Sequence, residues 1–325
     1  MTWVDLVARA RGLATHLAAE ETLADVERAR DRVGLAAALG RAGLVTAASP
    51  TDPATPEAID AAARDRAAAE LAILERWAGD RVGALAAIVD DEDRRSLRGL
   101  VRGLVAAAPL ARRLDGSVPT SRLPAATLRE LAAQPTSAAF AARLERSAHP
   151  AAAALAVPLA ATPIDLLAVE QALAGWFATR ARRGARADRA LAIHVAQVID
   201  VENAGAARLL AARGRDLDAG ISFLPGGERL SLAAFVAAAS ATSPAKTTAV
   251  LVRAFAGTPL AGALEDPAPD AVERAALGWH LASQRRQGRL EPLGLAPLLT
   301  LVLRRRVEVR RLRHVAWRVA MGGAP

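Results

Sequence analysis

The chain has 325 residues, 52% of them hydrophobic and only 3% aromatic, with no tyrosine and no cysteine. Its core must come from Leu, Val, Ile and Ala, a helical composition, while disulfides, thiolate zinc sites and a cysteine nucleophile are excluded. The net charge of +8 rests almost wholly on arginine, Lys246 being the only lysine, and favours acidic partners: nucleic acid, an anionic membrane surface or acidic protein loops.

Asp5, Arg9 and Arg11 interrupt the first apolar stretch, which argues against a signal peptide. No apolar run reaches the roughly 18 residues needed to span a bilayer, and the best of them, Pro292 to Leu303, stops at Arg304, so a soluble chain is expected. A helical unit opens near Leu17 with Ala19-Glu20-Glu21-Thr22-Leu23 and continues past Leu39 to the proline-rich break Ser49-Pro50-Thr51-Asp52-Pro53. An amphipathic helix carrying Trp77 follows. Next comes the acidic run Asp90-Asp91-Glu92-Asp93, then a helix whose Leu97, Leu100, Val101 and Leu104 form a stripe at i, i+3, i+4 and i+7.

The same succession then returns. Pro124-Ala125-Ala126-Thr127-Leu128 and Leu144 match Ala19 to Leu23 and Leu39 about 105 residues on; Pro150 to Pro163 is a second break, and Trp176 stands in the next helix. Arg122-Leu123, Leu128 and Ala132 correspond to Arg229-Leu230, Phe235 and Ala239, about 107 residues later. Pro259 to Pro269 is the third break, and Val272-Glu273 with Trp279 repeats Val169-Glu170 with Trp176. One acid recurs in this register: Asp93 before Ser96-Leu97-Arg98, Asp200 before Asn203-Ala204, and Glu308 before Arg311-Leu312-Arg313. The last helix keeps the stripe as Leu312, Val315, Ala316 and Val319; the middle copy weakens it to Ala204, Ala207 and Arg208, with Leu209 and Leu210 alongside.

A period of about 107 residues is too long for a solenoid and makes each copy nearly a small domain. The expected fold is all-α, an N-terminal helix start over 1–16 followed by helical repeats over 17–122, 123–229 and 230–325, related by a pseudo-threefold. The tryptophans are expected to anchor each copy's core. The acids Asp93, Asp200 and Glu308, with Asn203, are expected to be structural, each acid in a first helical turn where the helix dipole contributes about 0.3–1 kcal/mol.

Chemistry is scarce. Asp90 to Asp93 resembles an aspartate-rich magnesium motif, but the fifth place is Arg94, which should pair with the carboxylates instead of admitting a metal. His16, His149, His194, His280 and His314 have no partner at i+3 or i+4 that would build a metal site. Leu224-Pro225-Gly226-Gly227 lacks the strand and the Gly-Lys-Ser/Thr ending of a phosphate loop, and Val118-Pro119-Thr120-Ser121, its earlier counterpart, keeps the proline alone. No nucleophile sits with a base, so no enzyme, cofactor or metal site is expected. Two basic runs remain as candidate docking surfaces: Arg180, Arg182, Arg183 and Arg186, and along the last helix Arg306, Arg310 and Arg313. Their bland reading is a solvated face beside a buried stripe. Another reading is an arginine-rich scaffold that binds nucleic acid or acidic proteins, although only Trp317 interleaves with these arginines.

In order along the chain, Val7-Ala8-Arg9-Ala10-Arg11-Gly12-Leu13, Glu20-Glu21-Thr22-Leu23, the Asp93 to Arg98 helix, Ile199-Asp200-Val201-Glu202-Asn203, Leu224-Pro225-Gly226-Gly227 and Glu308 to Arg313 resemble the C subunit of archaeal and bacterial V/A-type rotary ATPases, equivalent to subunit d of the eukaryotic enzyme. The resemblance implies a funnel-shaped, all-helical, non-catalytic rotor subunit on the cytoplasmic face of the membrane. Its implied partners are the membrane rotor ring of c or K subunits and the central shaft subunits of D and F type, with the A and B nucleotide-binding subunits reached indirectly. On this reading no nucleic acid is expected, and rotation is passed between ATP chemistry and proton or sodium transport.

Overall fold

A computed structural model describes residues 3–44, 55–186, 188–214, 219–268 and 270–322, and these hold sixteen α-helices. The break from Ser49 to Pro53 and Pro269 lie outside the described residues. The first helices are α1 (Val4–Ala14), α2 (Glu20–Glu27), α3 (Arg32–Arg41), α4 (Pro56–Ala78) and α5 (Val82–Val105). After α6 (Leu110–Arg113) come α7 (Ala125–Ala132), α8 (Ser137–Arg146), α9 (Ala152–Ala160), α10 (Leu166–Ala185) and α11 (Arg189–Arg213). The last five are α12 (Leu232–Ala239), α13 (Pro244–Ala254), α14 (Pro259–Glu265), α15 (Ala271–Leu290) and α16 (Ala296–Ala320).

Alanine, leucine and arginine lose little side-chain freedom in a helix, and local capping chemistry marks where several of the helices begin. Three short helices start alike. The Asp31 carboxylate accepts the Gly34 N–H ahead of α3, the Thr136 hydroxyl accepts that of Ala139 ahead of α8, and the Ser243 hydroxyl accepts that of Lys246 ahead of α13. These caps stand about one period apart, and each such bond contributes about 0.5–2 kcal/mol. At the other end, α11 stops where Gly214 turns left-handed at φ 58°.

The chain divides into two compact units. One comprises Met1–Thr2, Gly83–Arg94 and Pro150–Thr300, and its core gathers Ala204, Ala207 and Leu210 of α11 with Phe235, Leu251, Phe255 and Leu264. The other comprises Trp3–Val82, Arg95–His149 and Leu301–Pro325, and there the stripe Leu312, Val315, Ala316 and Val319 of α16 packs on Leu23, Val26, Leu35, Leu39 and Ile59. In both, a long helix lays its stripe over a pair of short ones. Leu39, Leu144 and Leu251, one period apart, are all fully buried, as are Leu128 and Phe235. The weakened stripe of the middle copy still faces inward, since Ala204 and Ala207 are buried while Leu209 is exposed.

Two expectations are corrected. The acids Asp93, Asp200 and Glu308 lie in the middle of α5, α11 and α16 and not in a first turn, because no breaker interrupts the helical sequence upstream of them. Trp176 is buried, and Trp279 packs partly buried against the core of its unit, but Trp77 is 43% exposed and the Arg9 guanidinium lies 3.3 Å from its ring centroid. Inside the second and third proline-rich breaks the chain forms α9 and α14.

Candidate functional site

The buried acids are clamps on distant backbone. Both carboxylate oxygens of Asp200 accept amide protons from the loop ahead of α12: Glu228 N–H at 3.0 Å, Arg229 N–H at 3.0 and 3.1 Å, and Leu230 N–H at 3.1 Å. Burial pushes this carboxyl above its ordinary value, against the downward pull of the three amides. One turn further along α11, Asn203 closes a two-way bond: its Nδ2 donates to the Leu224 carbonyl and its Oδ1 accepts the Leu224 N–H, both at 2.9 Å. Leu224-Pro225-Gly226-Gly227 is therefore the bound loop itself.

The same joint appears elsewhere in the chain. Ser96, one period before Asn203, accepts the Val118 N–H at 3.2 Å, and its hydroxyl lies 3.4 Å from the Val118 carbonyl. Glu308, one period after Asp200, accepts the Ala18 N–H at 2.9 Å just ahead of α2, so the last long helix holds the first short pair. Asp93 is fully buried. Sequence spacing identified these acids, but their acceptor role depends on partners 28 or more residues away.

Around the clamps run ion pairs, several of them buried. Arg94 meets Asp91 at 2.7 Å and also pairs with Glu202; its burial opposes the charge, yet Glu202 and Asp91 outweigh burial and hold its pKa above the ordinary arginine value. The expected pairing of Arg94 with the acidic run is thus present. Arg305 joins Glu70 at 2.5 Å and also pairs with Glu308, all three buried. The buried Asp60 carboxylate lies 2.7 Å from Arg64 and 2.6 Å from Arg313. Arg311 binds Glu27 at 2.6 Å and Glu20 at 2.5 Å, and it holds the Glu27 carboxyl below its ordinary value.

The candidate docking arginines separate by environment. Arg180 is half-buried on Asp90 at 3.0 Å, and Arg313 is committed to Asp60. Arg306 and Arg310 are partly buried on α16. Arg182 and Arg183 are exposed on the last turn of α10 and Arg186 just beyond its end, with Arg182 also donating to the Pro225 carbonyl at 3.3 Å. His194 and His280 meet edge-on inside their unit with ring centroids 5.4 Å apart, a pairing across α11 and α15 that no local spacing could announce. Among the described residues no His, Cys, Asp and Glu cluster could hold a metal ion, and no helix is long and apolar enough to cross a membrane.

The described residues are thus all-α, with long helices that clamp the loops of short ones and ion pairs held in the interior. The sequence profile of the ATP synthase (C/AC39) subunit family matches residues 6–324, and the chain belongs to that family. It is thereby a non-catalytic accessory subunit that associates with components of a rotary ATPase. No curated protein matches the chain.

Proposed function

We propose that the protein is the central-stalk rotor subunit that joins the shaft of a V/A-type ATPase to its membrane ring, on the cytoplasmic face, so that ATP hydrolysis or synthesis is linked to proton or sodium transport. The family match over nearly the whole chain carries this reading. The mechanics support it. A torque coupler needs stiffness, and side chains such as Arg305 with Glu70 and Glu308 resist shear, because opening either pair leaves a charge buried without its counterion. We further propose three copies, 17–122, 123–229 and 230–325, around a pseudo-threefold axis in a funnel-shaped body. The recurring caps at Asp31, Thr136 and Ser243 and the recurring clamps at Asp200 and Glu308 support that division.

For partner contact we assign the exposed Arg182, Arg183 and Arg186, which require no internal carboxylate to be released first. Arg180, Arg306, Arg310 and Arg313 form a second rank, because each already has a partner inside the fold. The test is affinity purification of the tagged protein from gently solubilised membranes of its own host, with mass spectrometry of the bound proteins. Recovery of a small, very hydrophobic ring subunit together with shaft and nucleotide-binding subunits is expected. Recovery of nucleic acid and unrelated soluble proteins alone would sink the reading.

A further inference from the structure

The three pairs of short helices differ at the positions of Glu130 and Arg143. Between α7 and α8, Arg143 donates to Glu130 at 2.7 Å and bridges the two helices. One period later those positions are Val250 and Ala237, and the space between α12 and α13 is an open groove of about 380 Å³. Its apolar lining is Ala237, Ala241, Ala249 and Val250, and its rim carries Lys246 and Arg253. In the first pair the corresponding positions are Asp25, which bonds to Arg28, and the buried Ala38.

The rim is cationic and available. Lys246 and Arg253 are exposed; Nζ of Lys246 donates to the Thr242 hydroxyl at 3.2 Å, and Nε of Arg253 to the Ala249 carbonyl at 3.2 Å. Among the described residues neither faces a carboxylate. They stand seven residues apart on α13, two turns or about 10 Å along the axis. Small alanines between them let a partner backbone approach closely, as at the tightest helix–helix contacts of about 8 Å.

We propose that this groove is a docking site for an amphipathic helical segment of a partner protein that carries two carboxylates seven residues apart, with an apolar residue between them. The carboxylates meet Lys246 and Arg253, and the apolar side chain enters the alanine floor. Here Lys246 and Arg253 flank an apolar depression, whereas at the matching positions of the preceding helix pair Glu130 and Arg143 form an ion pair. The proposal does not depend on the rotor reading, because it concerns the chemistry of the occupant and not the complex that supplies it.

The test is fluorescence anisotropy of a labelled helical peptide with glutamates seven residues apart flanking a leucine, titrated with the full-length protein. Saturable binding is expected, weakened about tenfold or more by Lys246→Glu with Arg253→Glu, and by a control peptide with lysines in place of glutamates. Ala237→Glu with Val250→Arg rebuilds across the groove the bridge of Glu130 and Arg143 and should abolish binding with helicity retained. Arg285→Glu with Arg286→Glu, exposed on α15 outside the groove, should leave binding unchanged. No saturable binding up to millimolar protein, loss through the Arg285 and Arg286 pair in place of the groove pair, or equal competition by duplex DNA would each overturn the proposal.

Discussion

Gly227 packs so tightly against the Asp200 carboxylate that a β-carbon there would overlap Oδ1. The carboxylate takes up the space a side chain would need, which is how it reaches three successive amides of the same loop. Gly227→Ala must push the loop off Asp200 and should cost about 2–4 kcal/mol, seen as a lowered Tm. Gly205 serves as the internal control. It is exposed on α11 with nothing within 4 Å of its would-be β-carbon, so Gly205→Ala should stabilise by about 0.5–1 kcal/mol. Equal effects of the two substitutions in thermal unfolding would refute this account.

Asp200→Asn should fare little better than Asp200→Ala. Both oxygens accept N–H groups, so an amide nitrogen would face a donor whichever way the side chain turned. A loss of about 2–4 kcal/mol is expected for either variant in urea titration, with loosened hydrogen exchange at Glu228 to Leu230. Protection that survives in the Asn variant would show the clamp to be dispensable.

Arg305→Met keeps much of the side-chain volume but leaves Glu70 and Glu308 buried together without their cation. A cost of about 3–5 kcal/mol follows from stranding a buried charge. Adding Glu70→Gln to Arg305→Met should recover part of that loss; a double variant no more stable than Arg305→Met alone would contradict it.

Acid should act at the surface ion pairs. The hydrogen bond from Arg213 holds the Asp165 carboxyl at about 2, from an ordinary 3.8, and Arg81 does the same for Asp5. A carboxyl depressed by folding lends stability above its unfolded value and loses it as pH falls from about 3.8 toward 2. Asp165→Asn can still cap the Leu167 N–H, yet it cannot titrate. Its unfolding free energy should therefore fall less steeply than that of the wild type between about pH 4 and pH 2.

Arg183→Glu with Arg186→Glu should weaken recovery of ring and shaft subunits while leaving the circular dichroism spectrum unchanged. Arg182 is left in place because it lies against Gly226 and holds the Pro225 carbonyl. Undiminished assembly would remove the end of α10 from the partner surface.

Much of the fold was legible in the residues because helix formation is local. The stripe of Leu312, Val315, Ala316 and Val319 is buried where the 3.6-residue period puts it, and Arg94 meets Asp91 one turn away, as neighbouring opposite charges in a helix do. The role of the recurring acids was not legible. Their spacing was plain, but α5, α11 and α16 run unbroken through them, so they bind no orphan amides of their own helices. Trp77 shows the same limit, since it follows a proline-rich break on a helix as Trp176 does, yet it is 43% exposed with Arg9 of α1 lying over its ring.

By itself, then, the sequence determined an all-helical chain, its apolar stripes and the register in which its markers recur, because propensity, period and capping act within a few residues. Only the tertiary structure decided that Asp200 grips a loop 28 residues on, that Glu308 holds Ala18 near the other end of the chain, and that a groove lies between α12 and α13 while Glu130 and Arg143 pair across α7 and α8. Those outcomes depend on which surfaces meet after the helices form, and a carboxylate or an arginine reads the same in sequence whether it faces water, a counterion or a buried amide.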